Sequence, residues 1–175
     1  MKLTTNRKIG LAVAVLLFLA DQLVKYLVTG PLGLDQQGDS LTLLPIFDLH
    51  FTRNVGVSLG LLAATSEVMR WALVGLTACI AAGVAWWMSR EENRADLIAL
   101  GMVLGGALGN ILDRVRFGYV VDFADLHFGE WRPFLVFNVA DAAITIGVVI
   151  LLIRALLIKD KPKKGGAAVE KKLNA

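Results

Sequence analysis

Four runs of apolar residues dominate this chain of 175 residues. About 20 helical residues, at ~1.5 Å each, cross the ~30 Å hydrocarbon core of a bilayer, and each run has or nearly has that length. Hydrophobic residues make up 56% of the sequence, which exceeds the share in soluble domains of ordinary composition. We therefore predict an integral membrane protein, mainly α, with four transmembrane helices at about residues 9–28, 69–88, 97–113 and 138–158.

The first run follows a short basic segment that contains Lys2, Arg7 and Lys8, an arrangement that resembles a secretory signal. A signal has an apolar region of only about 7–15 residues, followed by a cleavage site of small residues. Here the run continues well beyond that length, and no convincing cleavage site follows it. We therefore predict a retained spanning helix.

Lysine and arginine mark one face of the predicted bundle. They occur in the first segment, in the connection with Arg90 and Arg94, and in the lysine-rich residues 159–175. Because basic residues near helix ends accumulate in the cytoplasm, we predict that both termini are cytoplasmic. Residues 1–158 would form one transmembrane domain, residues 29–68 and 114–137 would be its outer segments, and residues 159–175 would be a disordered tail.

The two outer segments contain signs of extended structure. Polar and apolar residues alternate from Asp48 to Thr52, and residues 117–128 are rich in aromatic and β-branched side chains. Alternation of this kind is typical of strands. We expect a small β-platform on the outer side of the membrane.

Polar side chains gather where the apolar runs approach that outer side. They are Asp21 and Lys25 late in the first run, Asn110, Asp113 and Arg114 at the end of the third, Asn138 and Asp141 at the start of the fourth, and Asp122 between the last two runs. Such residues are costly at membrane depth and usually mark function. Because all of them fall near one boundary, we predict a single shared site.

Several of these residues also have a structural interpretation. Asp21 and Lys25 are spaced four residues apart, so they can neutralise each other on one helix face. Asn110 and Asn138 can either bridge helices or contact a substrate. The charged residues of the second outer segment are interpreted as solvated surface: Arg116, Asp125, Glu130 and Arg132.

Asp122 and Asp141 have no basic residue at helical spacing. Two carboxyl groups brought together share a proton, so that one acts as an acid and the other as a base on water. This is the chemistry of aspartic proteases. Paired carboxylates also serve proton and cation carriers, and a small coupled carrier is the alternative interpretation.

Other functional classes have little support in the sequence. His50 and His127 have no cysteine or carboxylate at metal-ligand spacing, so we expect no metal site. The lysines concentrate in the terminal segment and not in a patch with aromatic residues, which argues against a nucleic-acid partner.

Three segments, GGALGNILDR, GYVVDF and FNVADAAIT, resemble the signature of the signal peptidase II family, the lipoprotein signal peptidases of bacterial inner membranes. Asp21-Gln22-x-x-Lys25 and Asn54-x-Gly56 match the family as well. The resemblance implies four helices with a β-cradle outside, and it implies Asp122 and Asp141 as the catalytic pair. It further implies site-lining or supporting roles for Asn54, Gly56, Asn110, Asp113, Arg114, Asn138, Ala140, Asp21 and Lys25.

The family's substrates are prolipoproteins that carry a diacylglyceryl group on a cysteine, and its members cut before that cysteine. Membrane lipid and such precursors are therefore the expected partners, and the resemblance implies no cofactor. One departure is that Val57, Ser58 and Leu59 stand where the family tends to have small residues and an aromatic. A noncatalytic lipoprotein-binding factor is a further alternative beside the carrier.

Overall fold

The structure, a computed structural model, describes residues 4–56 and 67–157. Within them it contains four helices, α1 (Thr5–Thr29), α2 (Glu67–Arg90), α3 (Arg94–Phe117) and α4 (Val139–Leu157), and three strands, β1 (Ser40–Leu44), β2 (Phe47–Asn54) and β3 (Val120–Leu126). All four helices are long and apolar enough to cross a membrane. The predicted membrane architecture with a small β-platform is confirmed. Val57 to Leu59 and the segment 159–175 lie outside the described residues.

Helix α3 is the centre of the bundle. Most of its apolar surface is buried, whereas the other three helices leave most of theirs open to lipid. Helices α1, α2 and α4 all pack against it. A Cβ atom at Gly105 would collide with the backbone of Ala14, so glycine is what permits the close approach of α1 and α3.

The ends of α3 are defined by specific contacts. Asn93 caps its start by accepting a hydrogen bond from the backbone N–H of Ala95 at 2.9 Å. The helix continues to Phe117, whereas the change from apolar to polar residues in the sequence predicts that it ends at about residue 113. Arg70 of α2 donates to the carbonyl groups of Arg114 (2.9 Å) and Val115 (2.7 Å), which satisfies backbone acceptors at the helix terminus.

The three strands form one antiparallel sheet in the order β1-β2-β3. Its apolar residues, including Phe51, Val121 and Phe123, form a core with Val28 at the end of α1. In the register of β2 and β3, Thr52 is opposite Asp122. The sheet thus carries Asp122 to the end of the helix bundle, which we call the platform end.

The opposite end of the bundle is closed by polar contacts. Asn6 and Arg7 donate to the carbonyl groups of Glu92 and Glu91, and Arg154 of α4 pairs with Asp96 of α3. The start of α1, the α2–α3 connection and the end of α4 therefore lie together, away from the sheet.

Candidate active site

Two aspartates lie where β3 and the start of α4 meet at the platform end. Asp122 belongs to β3 and is 2% exposed, and Asp141 is in the first turn of α4 and is partly buried. They are near enough for the charge of Asp141 to act on the carboxyl group of Asp122. The two residues that the sequence singles out are therefore brought to one place.

Asn138 bridges the two aspartates. Its Nδ2 donates to Oδ1 of Asp122 at 2.7 Å, and its backbone N–H donates to Oδ2 of Asp141 at 3.3 Å. Its Oδ1 accepts from the backbone N–H of Asp141 at 2.8 Å, the contact that a helix-capping residue makes. A single buried residue thus begins α4 and orients both carboxyl groups, that of Asp122 through its side-chain amide and that of Asp141 through its backbone N–H.

Two further asparagines complete the hydrogen bonding of the pair. Nδ2 of Asn110 donates to Oδ1 of Asp141 at 2.8 Å, and Nδ2 of Asn54 donates to Oδ2 of Asp122 at 2.9 Å. Oδ1 of Asn54 accepts from the backbone N–H of Gly56 at 3.2 Å, which orients its amide. Within the part of the chain that the structure describes, each carboxyl group accepts two hydrogen bonds.

The environment of Asp122 favours its neutral form. Burial raises the pKa of Asp122 to about 7, and the charge of Asp141 acts in the same direction. Hydrogen bonds from Asn54 and Asn138 and the charge of Lys25 oppose this increase. A carboxyl group with this pKa is available both as an acid and as a base near neutral pH.

A buried ion cluster lies beneath the pair. Nζ of Lys25 is 2.8 Å from Oδ2 of Asp21 and 2.7 Å from Oδ2 of Asp113. Gln22 donates to Oδ1 of Asp113 at 3.0 Å and to Oδ2 of Asp21 at 3.1 Å. The ion pair expected from sequence is present, but it has a third charged member, and Gln22 links both acids.

The ion cluster is hydrogen-bonded to the backbone beside each site aspartate. Oδ1 of Asp21 accepts from the backbone N–H of Ala140 at 3.0 Å, and Oδ2 of Asp113 accepts from that of Val121 at 3.1 Å. Ala140 precedes Asp141, and Val121 precedes Asp122. The two buried acids thus fix the positions of the two site aspartates. The site residues predicted from the sequence include neither Gln22 nor the backbone N–H of Val121. The motif Asp21-Gln22-x-x-Lys25 contains Gln22 and is the signal by which it could have been predicted.

Arg114 supplies a positive charge to this region. It is partly buried, and its charge interacts with Asp141, Asp122 and Asp113. Among the described residues, its buried Nε has no hydrogen-bond partner. The site therefore contains a buried cationic donor whose charge acts on both carboxyl groups.

The interpretation of Asp125 as a solvated residue is wrong. Asp125 is 4% exposed and accepts a hydrogen bond from Nε of Arg132 at 3.0 Å. It is buried because β3 is covered by β2 on one edge and by a bridge between Ala124 and Phe137 on the other. Arg116, Glu130 and Arg132 are exposed, as expected.

An apolar cavity of about 400 Å³ opens beside Asp141. Its walls are Phe134, Leu135, Phe137, Ala142, Thr145 and Ile146. Within residues 4–56 and 67–157, no group of three or more His, Cys, Asp or Glu side chains could hold a metal ion. Among the described residues, the site presents two carboxyl groups, three amides and one guanidinium next to an apolar groove.

The fold and the site describe a four-helix membrane protein with a pair of carboxyl groups at one end of its bundle. A family model described as signal peptidase (SPase) II matches residues 13–157. The chain belongs to the signal peptidase II family, and it is therefore a member of a family of peptidases.

Its relatives agree with this assignment. The lipoprotein signal peptidase of Sphingopyxis alaskensis is 52% identical over 160 residues, which cover 91% of this chain and 92% of that protein. The lipoprotein signal peptidase of Rhizorhabdus wittichii is 53% identical over 155 residues, with 89% and 90% covered.

Two solved structures, each described as a bacterial membrane enzyme, share the fold. One has a TM-score of 0.74 at 29% identity and covers 89% of this chain and 94% of its own. The other has a TM-score of 0.71 at 32% identity, with 87% and 94% covered.

Proposed function

We propose that this protein is an aspartyl endopeptidase that removes the signal peptide from diacylglyceryl-modified prolipoproteins by cutting before the lipidated cysteine. The observation that carries the proposal is the pair Asp122 and Asp141, which Asn138 bridges in a buried site of a signal peptidase II family member. Asparagine donors at 2.7–2.9 Å orient both carboxyl groups for one shared task.

The pair would activate water directly. One ionised carboxylate takes a proton from a water molecule, whose oxygen attacks the carbonyl carbon of the scissile peptide bond. The other carboxyl group, still protonated, donates its proton to the carbonyl oxygen. When the tetrahedral intermediate collapses, the C–N bond breaks and the amine of the lipidated cysteine receives a proton from the pair. A pKa of about 7 for Asp122 supports this residue as the one that holds the proton at rest.

Neighbouring residues have supporting roles in the proposal. Arg114 carries a positive charge that acts on both aspartates, and its Nε has no hydrogen-bond partner among the described residues, which suits it to contact the substrate or the developing oxyanion. Asn54, Gly56, Asn110, Asn138 and Ala140 line or orient the site. Asp21, Lys25 and Asp113 support it from beneath.

The surroundings fit a lipidated peptide. The apolar cavity beside Asp141 would receive the acyl chains, which membrane lipid would otherwise surround. The sheet would lie near the extended part of the precursor that follows the cleaved bond. In this proposal residues 1–158 form one domain in the bacterial inner membrane, both termini are cytoplasmic, and the platform end is periplasmic.

The proposal is tested with purified protein in detergent and a precursor that carries a diacylglyceryl cysteine. We expect one cut, before that cysteine, and no cut in the same precursor without lipid. Mass spectrometry of both products identifies the cleaved bond. Absence of cleavage by folded protein that binds the lipidated precursor would favour a noncatalytic binding role.

A further inference from the structure

A second, more polar cavity lies at the end of the bundle opposite the active site. It has a volume of about 500 Å³ and lies between the ends of α2, α3 and α4. Trp87 of α2, Glu91 directly after α2, Asp96 of α3 and Arg154 of α4 contribute to its walls. None of these residues takes part in the catalytic site.

This cavity and the active site lie along one seam between α3 and α4. At the platform end Asn110 of α3 donates to Asp141 of α4, and at the other end Arg154 of α4 pairs with Asp96 of α3. Asp96 and Asn110 are separated by two heptads, so their side chains return to nearly the same face of α3. At ~1.5 Å per residue, the two polar sites are about 20 Å apart along the axis of α3.

That distance matches the dimensions of a signal peptide. A signal peptide has a basic first segment and an apolar segment of about 7–15 residues before its cleavage site. An apolar helix of about 13 residues is ~20 Å long. If its cleavage site is at Asp122 and Asp141, the basic segment reaches the level of Trp87 and Glu91.

We infer that the cavity at Trp87 and Glu91 binds a lysine or arginine of the basic first segment of the signal peptide. The inference rests on the proposed function, because it identifies a second recognition point on the same substrate. The enzyme would then bind both ends of the membrane-spanning part of the precursor.

The chemistry of the walls suits a cation. Glu91 directly follows α2, and its backbone N–H donates to the carbonyl oxygen of Trp87 at 3.0 Å. The aromatic ring and the carboxylate therefore line the same cavity. Oε1 of Glu91 accepts from the backbone N–H groups of Glu92 and Asn93, both at 2.9 Å, which orients the carboxylate. Glu91 is partly buried, and its attraction for a cation is therefore less screened than at an open surface.

The basic residues near the cavity that the structure describes have other contacts. Arg154 forms a two-point contact with Asp96, and the charge of Glu91 also acts on Arg154. Among the described contacts, however, no arginine side chain pairs directly with the carboxylate of Glu91. Arg7 donates to the backbone carbonyl of Glu91, and Arg90 lies over the ring of Trp86. The cavity walls thus have one more negative than positive charge, although basic residues surround them.

The test combines three forms of the enzyme, the parent and two variants, with two precursors. Glu91→Gln removes the charge but keeps the Oε1 acceptor, so the backbone contacts persist. Glu92→Gln, an exposed neighbour outside the cavity, is the matched control. Each is combined with a lipidated precursor whose first segment has two lysines and with the same precursor carrying glutamines. Dissociation constants are measured by fluorescence and cleavage by initial rates.

We expect Glu91→Gln to raise both Kd and KM for the lysine precursor by roughly 3- to 10-fold, with kcat unchanged. It should have no effect on the glutamine precursor, and Glu92→Gln should behave as the parent does on both. Equal losses for the two precursors, or an unchanged Kd for the lysine precursor, would overturn the inference. A parent protein that binds but does not cut either precursor would refute the proposed function alone. If Glu91→Gln folds poorly, Trp87→Leu tests the same coupling.

Discussion

Amide side chains, more than charges, give the candidate site its geometry at the scale of single residues. Asn54, Asn110 and Asn138 each donate to a carboxyl oxygen at 2.7–2.9 Å. The sequence left Asn110 and Asn138 equally divided between bracing helices and contacting substrate. In the structure both orient the aspartates, because a buried carboxyl group requires donors that only the fold brings near it.

Asn138→Ala tests this orienting role. The substitution removes the donor to Asp122 and the acceptor for the N–H of Asp141. We expect a stability loss of about 1–3 kcal/mol, because buried groups lose their partner, and a much larger relative loss of kcat. Thermal unfolding in detergent and initial rates measure the two effects. Asn6→Ala, which removes a hydrogen bond at the opposite end, should leave kcat unchanged. A parental kcat for Asn138→Ala would contradict the role.

The raised pKa of Asp122 predicts a pH dependence of stability. The folded pKa is about 7 and the ordinary value is 3.8, so between these pH values the folded state binds the additional proton. Stability should therefore fall as pH rises from about 4 to about 7, by up to about 4 kcal/mol, and then level off. Unfolding temperatures across this range should show a flatter profile for Asp122→Asn than for the parent. Parallel profiles would show that Asp122 does not titrate in this range.

At the scale of elements, the ion cluster connects four segments that are distant in sequence. Lys25 of α1 contacts Asp113 of α3, Asp113 accepts from the backbone of β3, and Asp21 accepts from the backbone of α4. Spacing along one helix predicts only the pair Asp21 and Lys25. Asp113 joins them through the packing of α1 on α3, which local sequence patterns do not describe.

Replacing Lys25 should lower the stability of the folded protein. Lys25→Ala leaves Asp21 and Asp113 as buried acids without their cation, a change typically worth about 3–5 kcal/mol. The double variant Asp21→Asn, Lys25→Ala should lose less than the sum of the two single losses, because the two residues interact. Unfolding temperature and folded yield complete the cycle. Strictly additive losses would mean that the ion pair contributes no coupling.

Gly109 of α3 lies directly against this cluster. A Cβ atom there would be 2.5 Å from Oδ2 of Asp21, so Gly109→Ala should displace that carboxylate and reduce both stability and activity. Gly83→Ala in α2 is the control, since a Cβ at Gly83 has no neighbour within 4 Å. That control should be neutral or stabilising by up to about 1 kcal/mol. Equal behaviour of the two variants would refute the packing argument.

At the scale of the whole molecule, much of the architecture follows from local patterns. Hydropathy predicts the four spanning helices because length and apolarity alone decide whether a helix can cross a membrane. Alternation near Asp48 indicates the sheet. The burial of Asp125 and the continuation of α3 beyond Asp113 were not predicted, since both depend on contacts between distant segments. Arg70 reaches the end of α3, and Phe137 covers the edge of β3.

The orientation in the membrane is a prediction at the same scale. If the basic residues determine topology, a reporter active only in the cytoplasm should function when fused after Lys172. A reporter active only outside should function when inserted near Asp39, in the exposed connection before β1. The opposite pattern would place the aspartates on the cytoplasmic side, where the proposed reaction has no precursor to cut.

The central claim, that Asp122 and Asp141 activate water together, is tested most directly by the rates of Asp122→Asn, Asp141→Asn and the double variant on a lipidated precursor. General acid–base catalysis is typically worth ~10²- to 10⁴-fold, and loss of the group that activates the nucleophile could cost more. We expect each single variant to fold and to bind precursor, but its cleavage rate should fall by at least this factor. The rate of the double variant should be hardly lower than that of either single variant. Glu130→Gln, an exposed acid in the same connection, should retain the parental rate. A folded single variant that cleaves at near the parental rate would contradict the claim.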